Sequence, residues 1–227
     1  MTNLWNPFIQ EQEPGLFEYY KRGIAAGVFI TIGCIIYVAL LNTCKPLGAF
    51  MFSLGLLTVI RLKSCLYTGM IGTLVTEDDK LEYAKRMLVV WLGNLGGASI
   101  LGSLTLFQNA VDYTVVVDKL IAAKTSQSFI TLLVMGVFCG MLMHIAVSSN
   151  KLAKSDITGT VSVILCVAVF ILCGFEHCVA DMGYLFMSPS KSLYDFWILG
   201  PITLGNTLGS WFIQFFIKDL FKQPLYN

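Results

Sequence analysis

The feature that most constrains this chain is where its charges are missing. Charge-free stretches cover residues 23–44, 46–60, 64–76, 87–111, 125–150, 157–175 and 196–217. A helix needs roughly 20 apolar residues to cross a hydrocarbon core about 30 Å thick. Five stretches reach or approach that length, whereas 46–60 and 64–76 are each too short and read as two pieces of one crossing. The expectation is therefore six spans. With no water in the core, backbone groups must be satisfied inside the protein, and a helical bundle does this. Composition agrees: 13% of residues are charged and mean hydropathy is +0.73, against about a quarter charged in soluble domains.

Lys and Arg in the loops set the orientation. With the N-terminus inside, cytoplasmic segments hold nine: Lys21, Arg22, Lys80, Lys85, Arg86, Lys151, Lys154, Lys218 and Lys222. The outer loops hold four: Lys45, Lys119, Lys124 and Lys191. Both termini are expected in the cytoplasm, with the protein multi-pass in the inner membrane. Glu11, Glu13 and Glu18 occupy the place of a basic signal region, so the first span is expected to serve as targeting signal. No basic cluster points to nucleic acid. The seven cysteines lie almost wholly within spans and show no CxxC spacing, so neither a disulfide framework nor a metal site is expected, and no cofactor.

An internal repeat organises the chain. Gly27-Val28-Phe29 returns as Gly136-Val137-Phe138, 109 residues on, and Leu92-Gly93-Asn94-Leu95-Gly96-Gly97 returns as Leu204-Gly205-Asn206-Thr207-Leu208-Gly209 at an offset of 112. Each repeat holds three spans, an odd number, so the second must enter from the opposite face. That is the inverted-repeat plan of many transporters, whose sites lie where interrupted helices meet near the midplane. The domains expected are a cytoplasmic segment 1–22, a first repeat 23–111, an extracytoplasmic amphipathic connector 112–124, a second repeat 125–217 and a cytoplasmic tail 218–227.

Both repeats are interrupted, around Arg61–Gly69 in the second span and around Cys173–His177 in the fifth. Adding 109 to Thr68 gives His177, so two polar side chains take equivalent places. Polar groups inside a bilayer are costly and mark functional sites by default. Several residues also have bland readings. The small residues of LGNxxG let helices approach closely, and Asn94 and Asn206 are expected to hydrogen-bond between helices. Glu176 is expected to cap broken-helix amides more than to touch substrate, and His144 to be structural. Tyr194, Trp197, Trp211 and Phe216 read as interface anchors.

At this point the residues resemble the formate/nitrite transporter family over essentially the whole chain. The stretches that carry the resemblance are Gly27-Val28-Phe29-Ile30-Thr31-Ile32, Phe52-Ser53-Leu54-Gly55-Leu56, Leu66-Tyr67-Thr68-Gly69, Leu92–Gly97, Gly174-Phe175-Glu176-His177-Cys178-Val179-Ala180 and Leu204-Gly205-Asn206. The resemblance implies an aquaporin-like protomer, a homopentamer with one pore per subunit, and formate, nitrite or hydrosulfide as substrates. It implies constrictions at Leu66 on one side and at Phe52, Leu56 and Phe170 on the other, with His177 central and Thr68 its partner. The chain departs from the family pattern at Cys65, where an acid is usual, at Gly140 and Asp181, where Asn is usual, and at Arg61 and Lys63, where small or apolar residues are usual.

The functional expectation is a channel for small monovalent anions of weak acids. An anion passing apolar rings loses hydration at several kcal/mol or more, and a proton removes most of that cost. Histidine, with a reference pKa of about 6.5, exchanges protons near neutral pH. Substrate-path candidates are His177, Thr68, Lys63 and Glu176. Lys63 falls on the helical stripe of Phe52, Leu56 and Val59 if the helix continues that far; otherwise it reaches the cytoplasmic interface or pairs with Glu176 or Asp181. The partners expected are a small monovalent anion, protons, the lipid bilayer and four further copies of the chain. The competing expectation is a facilitator for water, ammonia or a small amide. An enzyme is disfavoured because no HExxH, GxSxG or paired-aspartate motif occurs.

Overall fold

A computed structural model describes residues 14–108 and 113–219. Most of the expected N-terminal segment, the start of the connector at 112 and most of the tail therefore lie outside the described residues. Those described are all helical, with no strand among them. They form α1 (Leu16–Leu41), α2 (Lys45–Arg61), α3 (Tyr67–Met70, extended by a 3₁₀ turn Ile71–Thr76), α4 (Lys80–Leu104), α5 (Thr114–Thr125), α6 (Phe129–Leu152), α7 (Asp156–Leu172), α8 (Cys178–Met187) and α9 (Leu199–Ile217). Where the sequence suggested six long segments, the described residues form nine α-helices, because the second and fifth segments are each resolved into two helices and the connector adds one.

Local chemistry explains the boundaries. Pro46 sits in the first turn of α2, where its missing N–H costs nothing. Asp79, Ser128 and Ser155 cap α4, α6 and α7 by accepting from the amides of Glu82, Thr131 and Thr158. Helix α1 begins at Leu16, inside the segment read as preceding the first span. There Glu18 pairs with Lys21 at 2.6 Å and Arg22 at 3.1 Å, one helical turn away. Among the described residues three helices are long and apolar enough to cross a membrane: α1, α4 with its 3₁₀ extension Thr105–Phe107, and α6.

Packing follows the repeat. In the first half α1 lies against α4 and α2; in the second α6 lies against α9 and α7. The halves join through α2 with α7, and each half's last helix packs on the other's interrupted segment, α4 on α8 and α9 on the 3₁₀ turn after α3. Glycines make the long seams possible. A Cβ on Gly97 would fall 2.0 Å from the carbonyl oxygen of Ile24, and one on Gly209 2.0 Å from that of Val137. These pairs correspond at offsets of 113 for α1 and α6 and 112 for α4 and α9, so the 109-residue match of Gly27-Val28-Phe29 is not the structural one, and backbone meets backbone at both seams.

Candidate functional site

The two interruptions share one construction. Helix α2 ends when Ser64 N–H donates to Val59 O (2.9 Å) and Lys63 N–H to Ile60 O (3.2 Å), with Lys63 at φ 52°. Helix α7 ends when Phe175 N–H donates to Phe170 O (2.9 Å) and Gly174 N–H to Ile171 O (3.1 Å), with Gly174 at φ 71°. Both are Schellman closures, which place a left-handed residue after the cap. Glycine suits that position; Lys63 occupies it under strain.

An asparagine then holds each freed segment. Asn94 donates to Gly23 O and Cys65 O, both at 2.9 Å, and accepts from Tyr67 N–H at 3.0 Å. Asn206 donates to Gly136 O and Glu176 O, both at 2.8 Å, and accepts from Cys178 N–H at 2.9 Å. Each amide satisfies one carbonyl and one N–H of the interrupted backbone and ties them to a carbonyl of a continuous helix, Gly23 of α1 or Gly136 of α6. Asn94 and Asn206 are both fully buried.

So fixed, the starts of α3 and α8 face each other. The matching bonds of Tyr67 and Cys178 set the offset here at 111 rather than 109, so the counterpart of His177 is Leu66, and Thr68 meets His177 without being its repeat equivalent. Thr68 Oγ1 lies 2.8 Å from His177 Nε2, across 109 residues, with Thr68 0% and His177 2% exposed. His177 also caps α8, its Nδ1 accepting from Ala180 N–H at 3.1 Å. With Nδ1 used as an acceptor, the neutral ring carries its proton on Nε2 and donates it to Thr68. The Thr68 hydroxyl proton is left to donate elsewhere.

Apolar side chains enclose this pair. Phe170 packs edge-on against Phe52, with centroids 5.8 Å apart, and leans over His177 at 5.9 Å. Two cavities approach from opposite sides. One, of about 310 Å³, is bordered by Phe170 and His177 and reaches Lys45 and Gln127. The other, of about 360 Å³, is bordered by Leu56, Leu66, Lys63 and Arg22. Thr68 and Phe52 line neither cavity and stand between them. The sequence grouped Leu56 with Phe52 and Phe170; here it shares a wall with Leu66, one helical turn beyond Phe52.

In the first cavity Lys124, which the sequence placed on a surface connector, reaches into the bundle. Its ammonium donates to Glu176 and lies 2.9 Å from Asp181 Oδ1 and 5.7 Å from the Tyr184 ring. Burial weakens the ammonium, but Asp181 and Glu176 outweigh that effect, and the lysine's pKa is raised. Helix α5 is seated by buried Val117 and Ile121 and by Asp118, which accepts from Ser188 and from Ser190 (2.6 Å). The Glu176 carboxylate therefore faces a cation rather than capping amides. Spacing along the sequence gave no sign of this lysine, 52 residues from its partner.

Lys63 is exposed at the mouth of the second cavity. It does not continue the stripe of Phe52, Leu56 and Val59, because α2 stops at Arg61, and its pairing with Glu176 or Asp181 is pre-empted by Lys124. Arg61 turns outward to Asp156 (3.1 Å) and Thr160 (3.0 Å). His144 bonds Gln214 at 2.7 Å, away from the Thr68–His177 pair. Gly140 is explained by packing, since a Cβ there would fall 2.2 Å from Asn206 O. Trp211 donates its indole N–H to Ile71 O at 3.0 Å, so it ties α9 to the first interruption. Cys34, Cys65, Cys139 and Cys178 are buried, whereas Cys44 and Cys173 are exposed.

An internally duplicated helical bundle with a polar pair at its centre and apolar collars between two cavities is the architecture of a solute-conducting membrane protein. The formate/nitrite transporter family model matches residues 9–218, and the chain belongs to that family. It is 27% identical to the formate channel FocA of Escherichia coli K12, covering 87% of this chain and 86% of that one. It is 25% identical to FocA of Haemophilus influenzae, over 85% and 82% of the two chains. The nitrite transporter NirC of Escherichia coli K12 is 27% identical over 84% and 78%. Among solved structures, a pentameric formate channel with formate bound superposes with a TM-score of 0.82 at 25% identity, covering 92% of this chain and 98% of that one.

Proposed function

We propose that this protein is a channel for small monovalent anions of weak acids, of the size of formate, nitrite or hydrosulfide. In this reading α2 with α3, and α7 with α8, are single interrupted crossings, giving six crossings in two inverted repeats, 23–111 and 125–217. Both termini face the cytoplasm of the inner membrane, α5 lies on the outer side, and five subunits assemble, each with its own pore. The solved formate channel that superposes on this chain is pentameric and has formate bound, which supports both the anion and the pentamer.

The observation that carries the reading is the Thr68–His177 contact at 2.8 Å, in the short barrier between two cavities. An anion squeezed between Phe170 and Leu66 loses water, and the Thr68 hydroxyl donates to it there. His177 Nε2–H donates to the same oxygen, which strengthens that hydroxyl as a donor. His177 thus works as a neutral relay. Because its Nδ1 is occupied by Ala180 N–H, a proton that neutralises the anion comes from the vestibules rather than from an imidazolium. Lys63 and Arg22 at the mouth of the second cavity draw anions inward.

Proteoliposomes separate this from passage of neutral solutes. Formate, nitrite or hydrosulfide gradients should each drive rapid fluxes or internal pH changes, well above those of protein-free vesicles. Intact water permeation with no anion flux would establish the neutral-solute facilitator instead.

A further inference from the structure

The cluster around Lys124 holds one cation and two carboxylates, and its second carboxylate is the place where the family pattern has an asparagine. Asp181 is 1% exposed. Among the described residues neither of its oxygens receives a hydrogen bond, although the Lys124 ammonium stands at ion-pair distance from Oδ1. The Glu176 side chain, 10% exposed, is held by the same ammonium. Both carboxylates border the 310 Å³ cavity that leads to His177, along with apolar Phe170, Ile171 and Leu132.

The other ionisable groups packed near Asp181 do not alter its charge balance. Cys34 and Tyr37 of α1, Cys139 of α6 and Cys178 and Tyr184 of α8 are uncharged at neutral pH by their reference values. His177 holds the amide of Ala180 as a neutral ring. Helices α4 and α9 present Gly102 and Asn206 to α8. Lys45, the other cation bordering this cavity, is exposed, and solvent screens it. With both carboxylates ionised the buried cluster of Lys124, Glu176 and Asp181 therefore carries one uncompensated negative charge, in a wall that solvates it poorly.

We propose that the Glu176–Asp181 pair holds one exchangeable proton, and that this proton admits anions to the vestibule while its loss excludes them. Asp181 is thereby a selectivity and gating residue, acting by charge on an anion it need not touch. Binding of the proton converts one carboxylate to a carboxylic acid and leaves Lys124 balanced by the other. Its release to the outer solution restores the second anion. One uncompensated charge about 6 Å from the path, at an effective dielectric constant of about 20, lowers anion occupancy about a hundredfold.

This inference rests on the anion-channel reading, and two measurements keep the two apart. The first compares formate flux of the parent and Asp181→Asn in proteoliposomes from pH 6 to 8.5, read as a ratio so that formate's own protonation cancels. The variant should match the parent within about twofold at pH 6 and exceed it at least tenfold at pH 8.5, and Asp181→Glu should restore the parent profile. A ratio that stays constant across the range overturns the proposal. The second records the infrared difference spectrum of the purified parent across the same range. A carboxylic-acid C=O band should be present at pH 6, disappear at pH 8.5 and be absent in Asp181→Asn. A spectrum with no such band, or one that Asp181→Asn leaves unchanged, also overturns it. If no vesicle passes formate, the channel reading fails and the infrared band alone decides the proton.

Discussion

Lys63→Gly should make the protein more stable and a poorer anion channel at once. Lys63 stands at φ 52° in the closure that ends α2, while its counterpart in the other repeat is Gly174 at φ 71°. A left-handed conformation costs an L-residue roughly 1–2 kcal/mol, and glycine's extra freedom in the unfolded chain takes back part of the relief. The net gain is about 0.5–1 kcal/mol, which raises the melting temperature by about 1–4 °C in a chain of this size. The ammonium borders the 360 Å³ cavity that leads to Leu66. At about 6 Å from an entering anion, with an effective dielectric constant of about 40–80, it contributes about 0.7–1.4 kcal/mol, a local enrichment of about three- to tenfold. Formate flux should therefore fall by that factor at low salt. The deficit should close near 1 M salt, where the screening length is about 3 Å. Lys63→Arg keeps both charge and strain and should resemble the parent in both assays. A lower melting point for Lys63→Gly would rule out the strain, and equal flux at low salt would rule out the pull of the ammonium on anions.

Adjacent glycines on α4 should respond oppositely to alanine. A Cβ on Gly97 meets Ile24 O at 2.0 Å and forces α1 from α4, costing about 1–3 kcal/mol or more, whereas on Gly96 the nearest atom is 3.6 Å away and alanine gains helix propensity; melting of the detergent-solubilised protein reads both. Asn206→Ala leaves buried Gly136 O, Glu176 O and Cys178 N–H without this partner, and at about 1–3 kcal/mol for a buried unsatisfied group it should lower thermal stability far more than Asn→Ala at an exposed site. Lys124→Met strands Glu176 and Asp181, so it should destabilise by about 3–5 kcal/mol, and the double variant Lys124→Met/Asp181→Asn should recover part of that loss in the same melting assay.

How much of this was legible in the sequence depended on whether a residue's role is repeated. Thr68 and His177 came into view through the duplicated interruptions, although the 109-residue offset that matched them is not the structural one: at these breaks it is 111, and His177 corresponds to Leu66. Asn94 and Asn206 were visible for the same reason, although their task of holding the interrupted backbone emerged only from the hydrogen bonds. Lys124 had no repeat counterpart and sat on a connector whose polar composition reads as surface. Only the seating of α5 by Val117, Ile121 and Asp118 turns it inward. Lys63 misled because a periodic stripe assumes an uninterrupted helix. A lysine in the left-handed closure position, where glycine is usual, gave the stripe no local stop signal.

If anions cross at the Thr68–His177 contact, formate flux through Thr68→Val, at matched protein density in vesicles, must register the loss. Valine keeps the volume and removes the one hydroxyl left free to meet the anion. Flux should fall by tenfold or more while assembly and water permeation stay near parent values. Formate flux equal to the parent's would mean that anions do not cross at this contact.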